Sequence, residues 1–310
     1  YGVEQIIVSN GAKHSLYNTF FALLNDGDEV IIPTPCWVSY PEIVRMNGGV
    51  PVFVPACEKD DFIPPAAAIA AAVTPRTKAF MLTSPSNPNG CVWPREALAA
   101  LAALAVKHGF YIVTDEIYEN LIYGSRRHVS IAALGDEIKA RTVVINGVSK
   151  TYAMTGFRIG YAAGPVEIIH AMTNAQSQAT SAPNTPAQHA ATVALTMPQD
   201  CVETMRKAFE ERRDVLVKGI NRIPGLSCPK PEGAFYTMVN VTALLGKRCM
   251  GEPMDDCAAF AEALLTHGGV ATVPGNAFMA EGYVRMSYAT SMEHVLDGLD
   301  RIEKFVKTLT

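Results

Sequence analysis

The sequence predicts an α/β fold: a mainly parallel, seven-stranded sheet with helices on both faces, followed by a smaller C-terminal α+β domain. Three observations carry this. Short β-branched runs alternate with longer helical patterns over the first two thirds of the chain. These runs are apolar throughout, as strands covered on both faces must be. From about Gln199 the rhythm gives way to one long charged helix and a set of shorter elements. The large domain is expected over 1–200 and the small one over 201–310, beginning with that long connecting helix.

In order, IIVS (6–9) reads as the first strand and leads into a helix from about Ala12 to Leu24. EVIIP (29–33) is followed by a helix over 38–46, and VPVFV (50–54) by the alanine-rich stretch 66–73. KAFMLTS (78–84), the helix 94–109, FYIVTDE (110–116), RTVVIN (141–146) and FRIGYAAG (157–164) continue the βαβ rhythm. The charged helix spans 202–223. A strand pair around GLSC and GAFYTMVN follows, then a helix 256–268, strands VATVP and YVRMSYA, and a closing helix from Met292. In a sheet of this kind ligands lie beyond the carboxyl ends of the strands.

Composition narrows the function. A net charge of −4 and a pI near 6.0 give no basic footprint, so neither nucleic acid nor an anionic membrane surface is an expected partner. Small molecules are. The seven cysteines are odd in number and scattered, with no metal-ligand spacing, and read as reduced thiols of a cytoplasmic protein. No metal is expected. The run ALAALAALAV (97–106) is too short to cross a bilayer, and no secretory signal is visible. The chain opens at Tyr1 without methionine and enters a strand almost at once, so chain upstream of Tyr1 is expected to be missing.

The chemistry-bearing residues fall at the strand ends. SNGAKHS (9–15) turns from strand to helix and aims the amides of Gly11, Ala12 and Lys13 outward, a phosphate-binding geometry without the spacing of a Walker loop. Trp37 follows the second strand, and Asn87 lies in the turn SPSNPNG (84–90) after the fourth. Asp115 ends an apolar strand, with Tyr118 one turn on. Lys150 sits between Ser149 and Thr151 in NGVSKTYAMTGFRIGY, eight residues before Arg158. Each has an ordinary explanation by itself: a turn lysine, an N-cap aspartate, a core tryptophan. Together they supply phosphate donors, a stacking ring, an acid, a phenol, an amide and a lysine, which are the requirements of pyridoxal 5'-phosphate. Lys150 would be reachable and flanked by small residues because its amine bonds the cofactor's aldehyde. Asp115 would keep the ring nitrogen protonated, and Arg158 would clamp the phosphate.

SPSNPNG, VTDEIYE, NGVSKTYAMTGFRIGY and VRMSYAT together resemble the class I and II aminotransferases of fold type I, in the bacterial-type aspartate aminotransferase branch. The resemblance runs over essentially the whole chain. It implies that Lys150 is the Schiff-base lysine, that Asp115 pairs with the pyridine nitrogen, and that Tyr118 and Asn87 hold the ring 3-oxygen. It further implies that Trp37 stacks on the ring, that Gly11 to Lys13 and Arg158 take the phosphate, and that Arg285 takes the substrate α-carboxylate. Lys13 matches a contact to the distal carboxylate of dicarboxylic substrates. Where some relatives carry a phosphate-binding serine three positions before the lysine, this chain has Gly147, so Ser149 or backbone amides are expected to serve.

The implied reaction moves an amino group from an L-amino acid, aspartate first, to a 2-oxo acid such as 2-oxoglutarate, in a homodimer. Aromatic or alanine aminotransferases and carbon–sulfur β-lyases share these motifs. A non-catalytic regulator of the same fold is the rival from another class, and the intact Lys150, Asp115, Tyr118 and Arg158 argue against it. The family also has a longer N-terminal portion that bears an arm, part of the small domain, a substrate-contacting glycine and a tyrosine reaching the neighbouring subunit. The present sequence lacks it, so cofactor binding with weak turnover and a weakened dimer are expected.

Overall fold

The computed structural model describes all 310 residues. Its central sheet holds β1 (Ile6–Ser9), β2 (Glu29–Thr34), β3 (Val50–Pro55), β4 (Thr77–Thr83), β5 (Tyr111–Asp115), β6 (Thr142–Gly147) and β7 (Gly160–Ala163), in the order β1-β7-β6-β5-β4-β2-β3. The five strands from β3 to β6 pair in parallel. β7 runs against β6, and β1 runs against β7. Two reversals restore the common direction, so β1 ends on the same edge as the other five. Because β7 alone runs backward, that edge receives its beginning.

Both faces are covered. α1 (Ala12–Leu23), α2 (Ser39–Met46) and α6 (Val166–Ala179) bury Leu16, Phe20, Val44 and Met172 against Val30, Ile32, Met81 and Val113. On the other face α3 (Ala66–Ala71), α4 (Arg95–His108) and α5 (Asp136–Lys139) set Ile69, Leu98, Leu101 and Ile138 against Ile31, Phe80, Leu82 and Ile112. Neighbouring residues of one strand thus enter different cores, which is why these strands read as unbroken apolar runs. Each fully buried Leu, Ile or Phe contributes roughly 1.5–3 kcal/mol.

After α7 (Thr185–Thr196), the long α8 (Asp200–Ile220) leads to a three-stranded antiparallel sheet ordered β11-β12-β8 and a two-stranded ribbon. The strands are β8 (Tyr236–Asn240), β9 (Arg248–Cys249), β10 (Glu252–Pro253), β11 (Val273–Pro274) and β12 (Tyr283–Ser287). α9 (Cys257–Ala263) and α10 (Met292–Lys307) pack with α8 around a separate core that contains Phe260, Val284, Ile302 and Phe305. No helix is long and apolar enough to cross a membrane.

Three expectations need correction. GLSC forms no strand, since only Ser227 bridges to Asn240 and the real partner of β8 is β12. The helix expected over 256–268 widens to π geometry at Leu264–Gly268. The strand expected from Phe157 starts at Gly160, because Thr155–Phe157 make a 3₁₀ turn and Arg158 has φ +55.

Candidate active site

The site begins as a backbone cradle. Gly11 caps α1 with φ +86, a conformation open to glycine, and turns the chain so that the amides of Ala12 and Lys13 face the sheet edge without a hydrogen-bond partner. β7 closes against this turn because Gly160 has no side chain; a Cβ there would collide with the Ala12 amide. The same close packing explains Gly147, whose Cβ would lie 2.8 Å from the Ile159 carbonyl oxygen and 2.9 Å from Gly160 Cα. A serine at 147 has no room. Ser149, two residues on, is buried and lines the cavity instead. Arg158 reaches over Gly11 from the turn just before β7, and its Nη1 donates to the Thr155 carbonyl at 2.9 Å.

The floor is Asp115, at the end of β5 and 4 % exposed. Its Oδ2 accepts from the Tyr40 hydroxyl at 2.8 Å and its Oδ1 from the Ile117 amide at 3.2 Å. The Tyr40 hydroxyl in turn accepts from Thr83 Oγ1 at 2.9 Å. Burial pushes the Asp115 carboxyl up to about 6, with Tyr40 and Ile117 opposing that rise. Lys150 follows β6 as the chain leaves the sheet. Burial lowers its amine below the ordinary lysine value, the nearby Asp115 charge opposes this, and Arg158 and Arg285 add to it.

The opposite wall comes from the small sheet. Arg285 on β12 donates through Nη1 to Asn87 Oδ1 at 2.8 Å, and its guanidinium lies 4.3 Å from the Tyr236 ring centre and 4.7 Å from that of Phe278. The Tyr118 hydroxyl donates to that of Tyr236 at 3.3 Å. At the mouth, Lys13 Nζ lies 4.7 Å over the Trp37 ring, which meets Tyr40 edge-on with centroids 5.3 Å apart.

One cavity of about 310 Å³ therefore gathers Ala12, Lys13, Trp37, Asn87, Asp115, Tyr118, Ser149, Lys150, Arg158 and Arg285, every residue singled out from the sequence except Gly11, which lies under Arg158. Tyr40, Ile117, Thr155 and Tyr236 also line it and were not anticipated. A signal existed for Tyr40, which follows Trp37 by one helical turn. None existed for Tyr236, whose neighbours are set by strand pairing far away in sequence.

The cavity fits a flat ring that carries a basic nitrogen and a phosphate. The carboxylate at its floor is hydrogen-bonded but has no cation in contact, which suits a protonated ring nitrogen. The unpartnered amides of Ala12 and Lys13, with Ser149 and Arg158, suit a phosphate. Behind the site, Glu116, Glu119 and His128 come together. Their hydrogen bonds brace the structure: Glu116 joins His128 at 2.9 Å and Ser130 at 2.8 Å, and Glu119 accepts from Asn146 at 2.7 Å, just before the turn to Lys150.

The family model described as aminotransferase class I and II matches residues 1–302. The chain is similar to the aspartate aminotransferase of Geobacillus stearothermophilus, 49 % identical over 310 residues that cover 99 % of this chain and 77 % of that one. The aspartate aminotransferase of Bacillus subtilis (strain 168) is 47 % identical over 99 % of this chain and 77 % of its own length. The crystal structure of the aspartate aminotransferase from Rhizobium meliloti superposes with a TM-score of 0.97 at 43 % identity, over 100 % of this chain and 78 % of that one.

Proposed function

The chain belongs to the class I and II aminotransferases, whose aspartate aminotransferase members use pyridoxal 5'-phosphate, and from that premise we propose that its preferred amino donor is aspartate. The observation that carries the preference is Lys13. Its ammonium is drawn to the cavity mouth over Trp37, where it adds a second cation to Arg285. A dicarboxylic substrate has one carboxylate for each.

When bound, the cofactor supplies an aldehyde carbon that takes the amino group and a conjugated ring that accepts electrons from the substrate α-carbon. The remaining work belongs to the protein. Ala12, Lys13, Ser149 and Arg158 hold the phosphate, with Trp37 against the ring and Tyr118 and Asn87 at its 3-oxygen. Asp115 keeps a proton on the ring nitrogen. Arg285 takes the substrate α-carboxylate in a two-point grip, steadied by Asn87. Lys150 moves the α-proton; burial favours its neutral amine, the form that accepts a proton. Residues 1–200 then form the cofactor-bearing domain and 201–310 the domain that brings Arg285. A cytoplasmic homodimer completes the reading, supported by seven unpaired cysteines and by Val193, Leu195 and Met197, which stand exposed along and just after α7.

Initial rates across amino donors with 2-oxoglutarate test the assignment. Aspartate should exceed alanine and phenylalanine in kcat/KM by roughly 10- to 100-fold, the size of a charged hydrogen bond. Equal rates for neutral and acidic donors would overturn the aspartate preference, and sedimentation of the holoenzyme as a monomer would overturn the dimer.

A further inference from the structure

We infer that Tyr236 is a positioning residue that couples substrate binding to the cofactor, its ring serving as the platform for Arg285 and its hydroxyl engaging that of Tyr118. The inference rests on the aminotransferase reading and deepens it, since nothing in the motifs points to this residue. Tyr236 opens β8, and β8 pairs with β12 so that Tyr236 lies opposite Ser287, two residues along and on the same face as the pair of Arg285 and Met238. Strand pairing thus fixes the ring beside the arginine.

Two contacts leave this side chain in different directions. The Arg285 guanidinium lies 4.3 Å from its ring centre, within the range of a cation–π attraction, and Phe278 takes another aromatic contact at 4.7 Å. An arginine held between aromatic rings keeps its fork oriented before a carboxylate arrives, so less conformational freedom is lost on binding. The Tyr236 hydroxyl lies 3.3 Å from that of Tyr118, and the rings meet edge-on at 6.1 Å. Tyr118 has one proton. Once that proton is directed to the cofactor's ring oxygen, the Tyr236 hydroxyl turns to donate to the Tyr118 oxygen, and a phenol that accepts a hydrogen bond is a stronger donor. One side chain therefore links the group that grips the carboxylate to the group that stabilises negative charge on the ring oxygen.

The two contacts separate by substitution. Tyr236→Phe keeps the platform and removes the hydroxyl; Tyr236→Leu removes both. In the Tyr236→Phe holoenzyme the pH midpoint of the cofactor's visible absorption change should rise by about half a unit or more, because the ring-oxygen anion loses support. Calorimetric affinity for a non-reactive dicarboxylate such as maleate should stay within about twofold, since the cation–π contact survives. In Tyr236→Leu the midpoint should rise likewise, and maleate affinity should fall by roughly 3- to 30-fold. An unchanged midpoint in Tyr236→Phe, with cofactor bound and thermal stability intact, overturns the coupling. Undiminished maleate affinity in Tyr236→Leu overturns the platform. If the wild-type chain shows no pH-dependent cofactor band at all, the aminotransferase reading fails rather than this one.

Discussion

The two walls of the cavity are built by different physics. The wall we assign to the cofactor is made where strands end: Asp115, Ser149, Lys150 and the Gly11 turn occupy their places because the backbone leaves the sheet there, and glycines at 147 and 160 let β6, β7 and α1 close up. The wall we assign to the substrate is made by side chains. Arg285 is held by Asn87 Oδ1, by Tyr236 and by Phe278, and its sheet meets the large domain through few polar contacts, among them the Cys36 amide to the Phe278 carbonyl at 3.2 Å and Tyr283 to Glu58 at 3.3 Å. A wall made of backbone resists substitution. A wall made of side chains is where specificity can be tuned.

The largest effect should follow loss of Lys150, the side chain on the backbone wall that we propose reacts. Lys150→Ala should lower turnover by at least ~10²–10⁴-fold, the usual worth of a positioned acid–base group. It should also remove the borohydride-reducible link that maps to the peptide holding residue 150. A labelled peptide containing Lys13 instead would refute the assignment.

Next comes Asp115, through pH. Burial raises its folded-state value to about 6, so in cofactor-free protein the associated stability is fully present below the unfolded carboxylate range and is lost as pH rises through about 6. Asp115→Asn removes that ionisation. Urea unfolding of the apoprotein should therefore find the variant more stable than wild type by up to ~3 kcal/mol at pH 8, with no difference near pH 3. The same variant should lose turnover. A variant that is no more stable at pH 8 would show that the carboxylate is not strained by burial.

Lys13→Ala probes the mouth, where the two walls meet. It should lower kcat/KM for aspartate by about 2 kcal/mol relative to alanine, as one charged hydrogen bond disappears. Equal losses for both substrates would remove Lys13 from specificity. The smallest effect belongs to Tyr40→Phe, which takes away one hydrogen bond to Asp115 at a cost of about 1 kcal/mol. The rise of apoprotein stability toward acid should then move to higher pH, because Tyr40 lowers the carboxyl's value. A shift to lower pH would contradict the geometry.

The contrast also explains what the sequence could disclose. Asp115, Lys150, Asn87 and Trp37 were legible because each follows an apolar strand, and strand ends converge on one edge whatever their order in the sheet. Tyr236 was not, since its importance lies in a cross-strand neighbour and in a loop more than a hundred residues away. α6 and α7 carry signals of their own in the sequence: Ile168, Ile169 and Met172 repeat at helical spacing, and Asn184 caps α7 by accepting from the Ala187 amide at 3.0 Å. The antiparallel placement of β1 and β7 left no mark in composition, because a strand's direction depends on its partner rather than on its residues.

That placement bears on how the molecule is made. β1 has a single sheet neighbour, β7, and the flanking contact from Gln5 to the Gly164 carbonyl closes a span of 159 residues. β1 and α1 are tied to an equally distant group: Ser9 at the end of β1 and Asn18 on α1 both donate to Gln176 Oε1 on α6, at 2.7 and 3.1 Å. During synthesis at roughly 5–20 residues per second, β1 and α1 must wait on the order of ten seconds or more before these partners leave the ribosome. Until then Leu16 and Phe20, fully buried in the finished fold, lack α6 and β7, two of the elements that cover α1. A nascent chain arrested before β7 emerges should be cut by protease within α1, and one arrested after α6 has emerged should be protected there. The turn at Gly11, though made before most of the sheet, is thus fastened only once α6 exists.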